Sequence, residues 1–246
     1  MSFSVDLRES PNHDARLAGV SVDILLLHYT GMQTADAALD RLCDPSAKVS
    51  CHWFVDEDGR VTQLVAEDRR AWHAGVSCWA GETDINARSI GVEIVNPGHE
   101  FGYRDFPDIQ IDAVIALCRD VLGRHAIAPQ RVLAHSDVAP ERKQDPGERF
   151  PWARLHVAGI GHWVAPAPIS DGKVIGPGDS GEDVAALQRD LAGYGYPVAV
   201  TGTCDAGTSS VVTAFQRHFR PARVDGVADA STRDTLARLI AALPGH

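Results

Sequence analysis

The chain has 246 residues, 44% of them hydrophobic and 23% charged, the composition of an ordinary soluble globular protein with room for one large domain or two smaller ones. A formal net charge of −10 argues against a nucleic-acid backbone or an anionic membrane as partner, because both require basic patches. No stretch is long and apolar enough to span a bilayer, and the five cysteines lack Cys-x-x-Cys spacing, so reduced thiols are expected.

The first ten residues have neither the basic start nor the apolar core of a signal peptide. The expected compartment is therefore the cytoplasm; the alternative is a periplasmic or outer-membrane-associated protein whose leader is missing. Residues 1–20 read as an approach segment. Val22–His28 (Val-Asp-Ile-Leu-Leu-Leu-His) reads as a strand buried on both faces, and His28 ends it. Taken alone, His28 is either a hydrogen-bonded core residue or a metal ligand. Thr34–Cys43 reads as a helix with Thr34 as N-cap and an apolar stripe of Ala38, Leu39, Leu42 and Cys43. Cys51–Val55 and Arg60–Val65 flank Asp56-Glu-Asp-Gly59, a hairpin signal. Arg70–Gly81 reads as a loop rich in Trp and Gly; Trp72 and Trp79 are either packed corners or the walls of a cleft.

Ser89–Asn96 reads as another strand, with Glu93 inside an apolar run. A carboxylate there is costly to bury unpaired, and a metal-activated water would make a suitable partner. Pro97–Pro107 reads as a loop near the site. Asp108–His125 shows the clearest helical period, through Ile111, Val114, Ile115, Cys118, Val121 and Leu122. A short strand from Arg131 leads to His135, followed by a loop containing Pro140 and Pro146. Asp137 is expected to brace that loop through turn hydrogen bonds. Phe150-Pro-Trp152 begins a short helix ending near His156. Cys118 and Cys51 read as packing residues, and a Cys43–Cys51 disulfide is the minor alternative.

A His at one strand end and a carboxylate, Asp145, on the following loop can converge on one metal. A third ligand and an open position would make a catalytic zinc site. His28 is the candidate for the third ligand. His73 could also ligate on sequence grounds alone.

These residues resemble a family. His28, Glu93, His135-Ser-Asp137, Lys143 and Asp145 look like the site of the zinc-dependent N-acetylmuramoyl-L-alanine amidases of the peptidoglycan-recognition-protein type, over roughly residues 10–155. The most specific block is His135-Ser-Asp-Val-Ala-Pro-Glu-Arg-Lys-Gln-Asp-Pro-Gly147, supported by Ser50–Gly59, Ala71-Trp-His-Ala-Gly75 and Ser89–Glu93. The resemblance implies an α/β domain with a mixed central sheet flanked by helices. It also implies one Zn2+ ion held by His28, His135 and Asp145, with Glu93 as general base and then acid, and Lys143 stabilising the oxyanion. The bond cleaved would join N-acetylmuramic acid, or its 1,6-anhydro form, to L-alanine of the peptidoglycan stem peptide, in wall turnover or recycling. Tyr29, Trp72, His73 and Trp79 are candidate substrate contacts.

Val164–Gly178, rich in Pro and Gly, reads as a linker. It divides the chain into a catalytic domain of residues 1–163 and a helical domain of residues 179–246. The latter carries an internal repeat (Leu187-Gln188 with Thr208, Phe215-Gln216 with Thr232) and resembles a small three-helix peptidoglycan-binding domain, although Cys204 stands where an aromatic is often seen. Three other readings remain: a non-catalytic peptidoglycan-recognition protein, a different zinc hydrolase on the same scaffold, and a helical cap that only packs on the amidase. The expected partner is peptidoglycan or a muropeptide. The sequence is silent on oligomeric state.

Overall fold

A computed structural model describes residues 4–243. Its strands are β1 (Val5–Leu7), β2 (His13–Ala15), β3 (Ile24–Tyr29), β4 (Trp53–Val55), β5 (Val61–Gln63), β6 (Arg69–Ala71), β7 (Ser89–Ile94) and β8 (Val132–Ala134). The helices among them are α1 (Ala35–Cys43), α2 (Ile85–Arg88), α3 (Gly98–Phe101), α4 (Asp108–Arg124), α5 (His135–Val138) and α6 (Trp152–Val157). Three more follow: α7 (Glu182–Tyr194), α8 (Ala206–Phe219) and α9 (Ala230–Ala241).

Six strands form one sheet in the order β1-β5-β4-β7-β3-β8. Only the β4–β5 hairpin is antiparallel, so the sheet is mixed, as expected. The central strands are apolar on both faces because both faces are covered. On one face Leu25, Leu27, Ile90, Val92 and Ile94 meet Val114, Leu117 and Val121 of α4 and Trp152 and Leu155 of α6. On the other face Ile24, Leu26 and Leu133 join a cluster that continues through Trp79 into α7, α8 and α9. A third cluster tucks α1 against Phe54 and Cys51. Thr34 caps α1 by accepting a hydrogen bond from Ala37 N.

Several expectations are adjusted. The approach segment contains β1 and β2; β1 is an edge strand with Val5 and Leu7 exposed, so it lacks the apolar alternation that would reveal it. His135 does not end a strand. It opens the single turn α5; the Asp137 side chain accepts from Ala134 N just before the turn, and the Asp145 carbonyl accepts from Ser136 N. The loop 97–107 contains the turn α3. All five cysteines are free thiols, so Cys43 and Cys51 are not joined.

The helical repeat has a structural meaning. Gln188 on α7 accepts from Thr201 N and Gly202 N and donates to the Thr203 carbonyl. Gln216 on α8 accepts from Asp225 N and Gly226 N and donates to the Val227 carbonyl. Asp205 and Asp229 then cap α8 and α9 through the N–H groups of Thr208 and Thr232. Each glutamine closes one interhelical loop by satisfying backbone groups that would otherwise be buried unpaired. The segment 164–178 does not swing free: Ala167 exchanges hydrogen bonds with Ser231 and Thr235, and Ile175 bridges to Ala228.

Candidate metal centre

Strand register assembles the site. On β3, Ile24, Leu26 and His28 share one face because side chains alternate. His28 lies directly opposite Glu93 on β7, and Leu27 lies opposite Ala134 on β8. His135, the residue after β8, therefore arrives beside His28, giving the row His135–His28–Glu93. The chain returns through one more turn, and Asp145 closes on both histidines.

His28 Nδ1 and His135 Nδ1 are 2.9 Å apart. Asp145 Oδ2 lies 3.1 Å from the first and 2.9 Å from the second. All three residues are buried. Their other contacts fix the tautomers. Ser89 Oγ donates to the Ile85 carbonyl, so it can only accept from His73 Nε2 at 3.2 Å. Burial, with His28 and His52 nearby, holds His73 neutral well below the ordinary imidazole range. Its Nδ1 must then accept from His28 Nε2–H, 3.0 Å away. His28 is also neutral, pushed down to about 4 by burial and by His135, and so its Nδ1 carries a lone pair. His135 Nε2–H donates to the Ala74 carbonyl at 3.0 Å, which turns Nδ1 toward His28 and Asp145.

Two ring nitrogens and a carboxylate oxygen thus face one another in a triangle that a single cation could occupy. Its edges approach the roughly 3.3 Å expected between ligands 2.0–2.1 Å from a tetrahedral zinc. Two imidazoles and one carboxylate, with an open side, are a donor set that suits a catalytic zinc ion.

That open side is a cavity of about 420 Å³, lined among others by Glu93, Lys143, Tyr29, Trp72, His99 and Arg142. Glu93 Oε2 is buried without a hydrogen-bond partner. Burial, with Asp145 nearby, pushes its carboxyl well above the ordinary range, and Lys143 opposes the shift. Lys143 makes no ion pair among the described residues and stands on the turn that delivers Asp145. Tyr29 bonds His99 Nδ1 through its hydroxyl, at 2.9 Å.

One expected substrate contact is corrected. Trp79 does not wall the cavity. It is 2% exposed and lies edge-on to Tyr194 and Tyr196 under the helical unit, with its backbone N–H donating to Glu82. Gly195 permits this packing, since a Cβ there would fall 2.6 Å from the indole. His73 reaches the cavity wall, but both ring nitrogens are committed to His28 and Ser89, so it orients His28. Gly91 makes room for it: a Cβ would sit 2.5 Å from the His73 ring. Ser89, Gly91 and Glu93 share one face of β7, alternating with Ile90, Val92 and Ile94. Arg142 was missed; it holds the loop by donating to the Ala74 and Val76 carbonyls.

Comparison with known proteins agrees with this geometry. Residues 18–148 match the model of the N-acetylmuramoyl-L-alanine amidase family. The chain belongs to that family. Residues 180–236 of the amidase match a peptidoglycan-binding-domain model. N-acetylmuramoyl-L-alanine amidase AmiD of Escherichia coli K12 is 38% identical over 231 residues, covering 89% of this chain and 82% of that one. The solved complex of E. coli AmiD with anhydro-N-acetylmuramic acid-L-Ala-D-gamma-Glu-L-Lys superposes with a TM-score of 0.77 at 36% identity, covering 92% of each chain. AmpDh3 of Pseudomonas aeruginosa, solved with an anhydromuramic pentapeptide, gives a TM-score of 0.72 at 30% identity, covering 90% of this chain and 92% of that one. Among the described residues no helix is long and apolar enough to cross a membrane.

Proposed function

We propose that this amidase uses a single zinc ion, held by His28, His135 and Asp145, to hydrolyse the amide between the lactyl group of N-acetylmuramic acid and L-alanine of the stem peptide. The observation that carries the reading is the triangle of two ring nitrogens and a carboxylate oxygen beside a buried carboxylate with an unpartnered oxygen. Zinc supplies Lewis acidity there, polarising a carbonyl and acidifying water toward a pKa of about 7.

The protein residues do the rest. Glu93, held with a raised proton affinity, takes the proton of the attacking water and returns it to the departing nitrogen of L-alanine. The carbonyl carbon gains the water oxygen, the C–N bond breaks, and the products are a lactyl carboxylic acid and a free stem-peptide amine. Lys143, which lines the cavity, donates to the oxyanion of the tetrahedral intermediate, a contribution of about 3–4 kcal/mol for a well-placed donor. Trp72 and Tyr29 offer aromatic surface to sugar and peptide. Sugars in the 1,6-anhydro form belong among the substrates, since both solved complexes above contain them. The helical unit, matching a wall-binding domain, would direct the enzyme to peptidoglycan or its larger fragments. Five free thiols support work in a reducing compartment on released fragments; fractionation that finds the protein outside the inner membrane would overturn that part.

The test is digestion of a purified 1,6-anhydro-muropeptide, followed by mass spectrometry, with metal content measured in parallel. One zinc per chain, free stem peptide from the parent and none from Glu93→Ala are expected. Cleavage within the stem, or no release with zinc present, would defeat the reading.

A further inference from the structure

The segment from His135 to Asp145 carries two of the three candidate ligands and Lys143, and the helical unit holds it at both ends. Asp137, two residues past His135, is fully buried. One carboxylate oxygen accepts from Ala134 N at 2.8 Å, inside its own turn. The remaining donors come from the helical unit. The Tyr196 hydroxyl donates to Oδ1 at 2.7 Å, and His218 Nδ1 donates to Oδ2 at 2.7 Å. The His218 ring is itself fixed by stacking on Trp152, with centroids 3.7 Å apart. At the far end, Arg217 Nη2 donates to Gln144 Oε1 at 2.9 Å, next to Asp145. The same guanidinium faces Glu148, which pairs with His99 on the cavity rim. A buried carboxylate is tolerated only when donors satisfy it, so Asp137 stays in place only while Tyr196 and His218 do.

We propose that the helical unit is a positioning element of the metal centre: Tyr196 and His218 act through Asp137 on His135, and Arg217 acts through Gln144 on Asp145. The inference rests on the reading of His28, His135 and Asp145 as metal ligands and extends it to residues of the other unit. A domain matching a wall-binding module then has a second task, keeping two ligands within the narrow geometry a tight metal site demands.

The test uses the full chain. Tyr196→Phe removes one hydroxyl at constant shape, His218→Ala removes the second donor, and His218→Asn restores an N–H near the Nδ1 position. Tyr194→Phe is the control, because it deletes a hydroxyl bound to His162 in the same interface without touching the loop. Zinc affinity is read by competition with a chromogenic chelator, and ligand geometry by the visible spectrum of the cobalt-substituted protein. Tyr196→Phe and His218→Ala are expected to bind zinc about 10–100-fold more weakly, with an altered cobalt spectrum. His218→Asn should recover most of the loss, and Tyr194→Phe should match the parent. Parent-like affinity and spectrum in both Tyr196→Phe and His218→Ala would overturn this inference alone, as would equal weakening by Tyr194→Phe. A parent chain that binds no metal would sink both this inference and the reading beneath it.

Discussion

As the proposed general base, Glu93 would serve catalysis at the expense of stability. Its carboxyl is buried beside Asp145 with one oxygen unpartnered, and its proton affinity is raised. A general base works when deprotonated, so activity falls as pH drops through its pKa. Glu93→Gln should lower kcat by about 10²–10⁴-fold while zinc content stays at the parent level. A parent-like rate in that variant would remove Glu93 from the proton path. The stability consequence has the opposite sign. A folded pKa above the unfolded one means that ionising Glu93 costs stability, a cost absent below the unfolded pKa and growing as pH rises toward the folded value. Metal-free Glu93→Gln should thus melt higher than the metal-free parent at neutral pH, and the gap should close in acid. A gap that widens on acidification would contradict the assigned shift.

At the scale of elements, three parallel strands and one helical turn do the positioning, and their pairing register matters more than any single contact. Gly91 tests this. A methyl there would collide with the His73 ring, which accepts the N–H of His28. Gly91→Ala should push His73 aside, free the His28 ring to rotate, and weaken zinc binding by about tenfold or more. Overpacking should also cost about 1–3 kcal/mol of stability by denaturant titration. Unchanged zinc affinity would show that His28 does not depend on His73. The same strands explain what the sequence made legible. His28 and Glu93 stand out because each interrupts an apolar run, and His135, Lys143 and Asp145 because they share one short block. The partnership of His28 with His73 was not legible, because it depends on β3 and β7 being adjacent and on a glycine whose role appears only when a ring lies over it. Trp79 was misread for a related reason: an aromatic in a Gly-rich loop looks the same whether it faces a sugar or a neighbouring helix.

At the scale of the whole molecule, one apolar cluster runs from Ile24 and Leu26 in the sheet through Trp79 to Leu191, Phe215 and Leu239 of the three helices. Two units sharing one buried cluster, and sharing Asp137 as a polar junction, should unfold together. Metal binding should stabilise both. An ion bound only by the native state at about a thousandfold above its Kd adds about 4 kcal/mol. For a chain of this size each kcal/mol is worth about 2–4 °C in Tm. Removing the metal with a chelator should therefore lower the Tm by about 8–16 °C while leaving a single calorimetric transition. Hydrogen exchange should quicken in α8 as well as in β3, although no candidate ligand belongs to α8. Two transitions, with the helical one indifferent to chelation, would mean that the shared cluster does not couple the units.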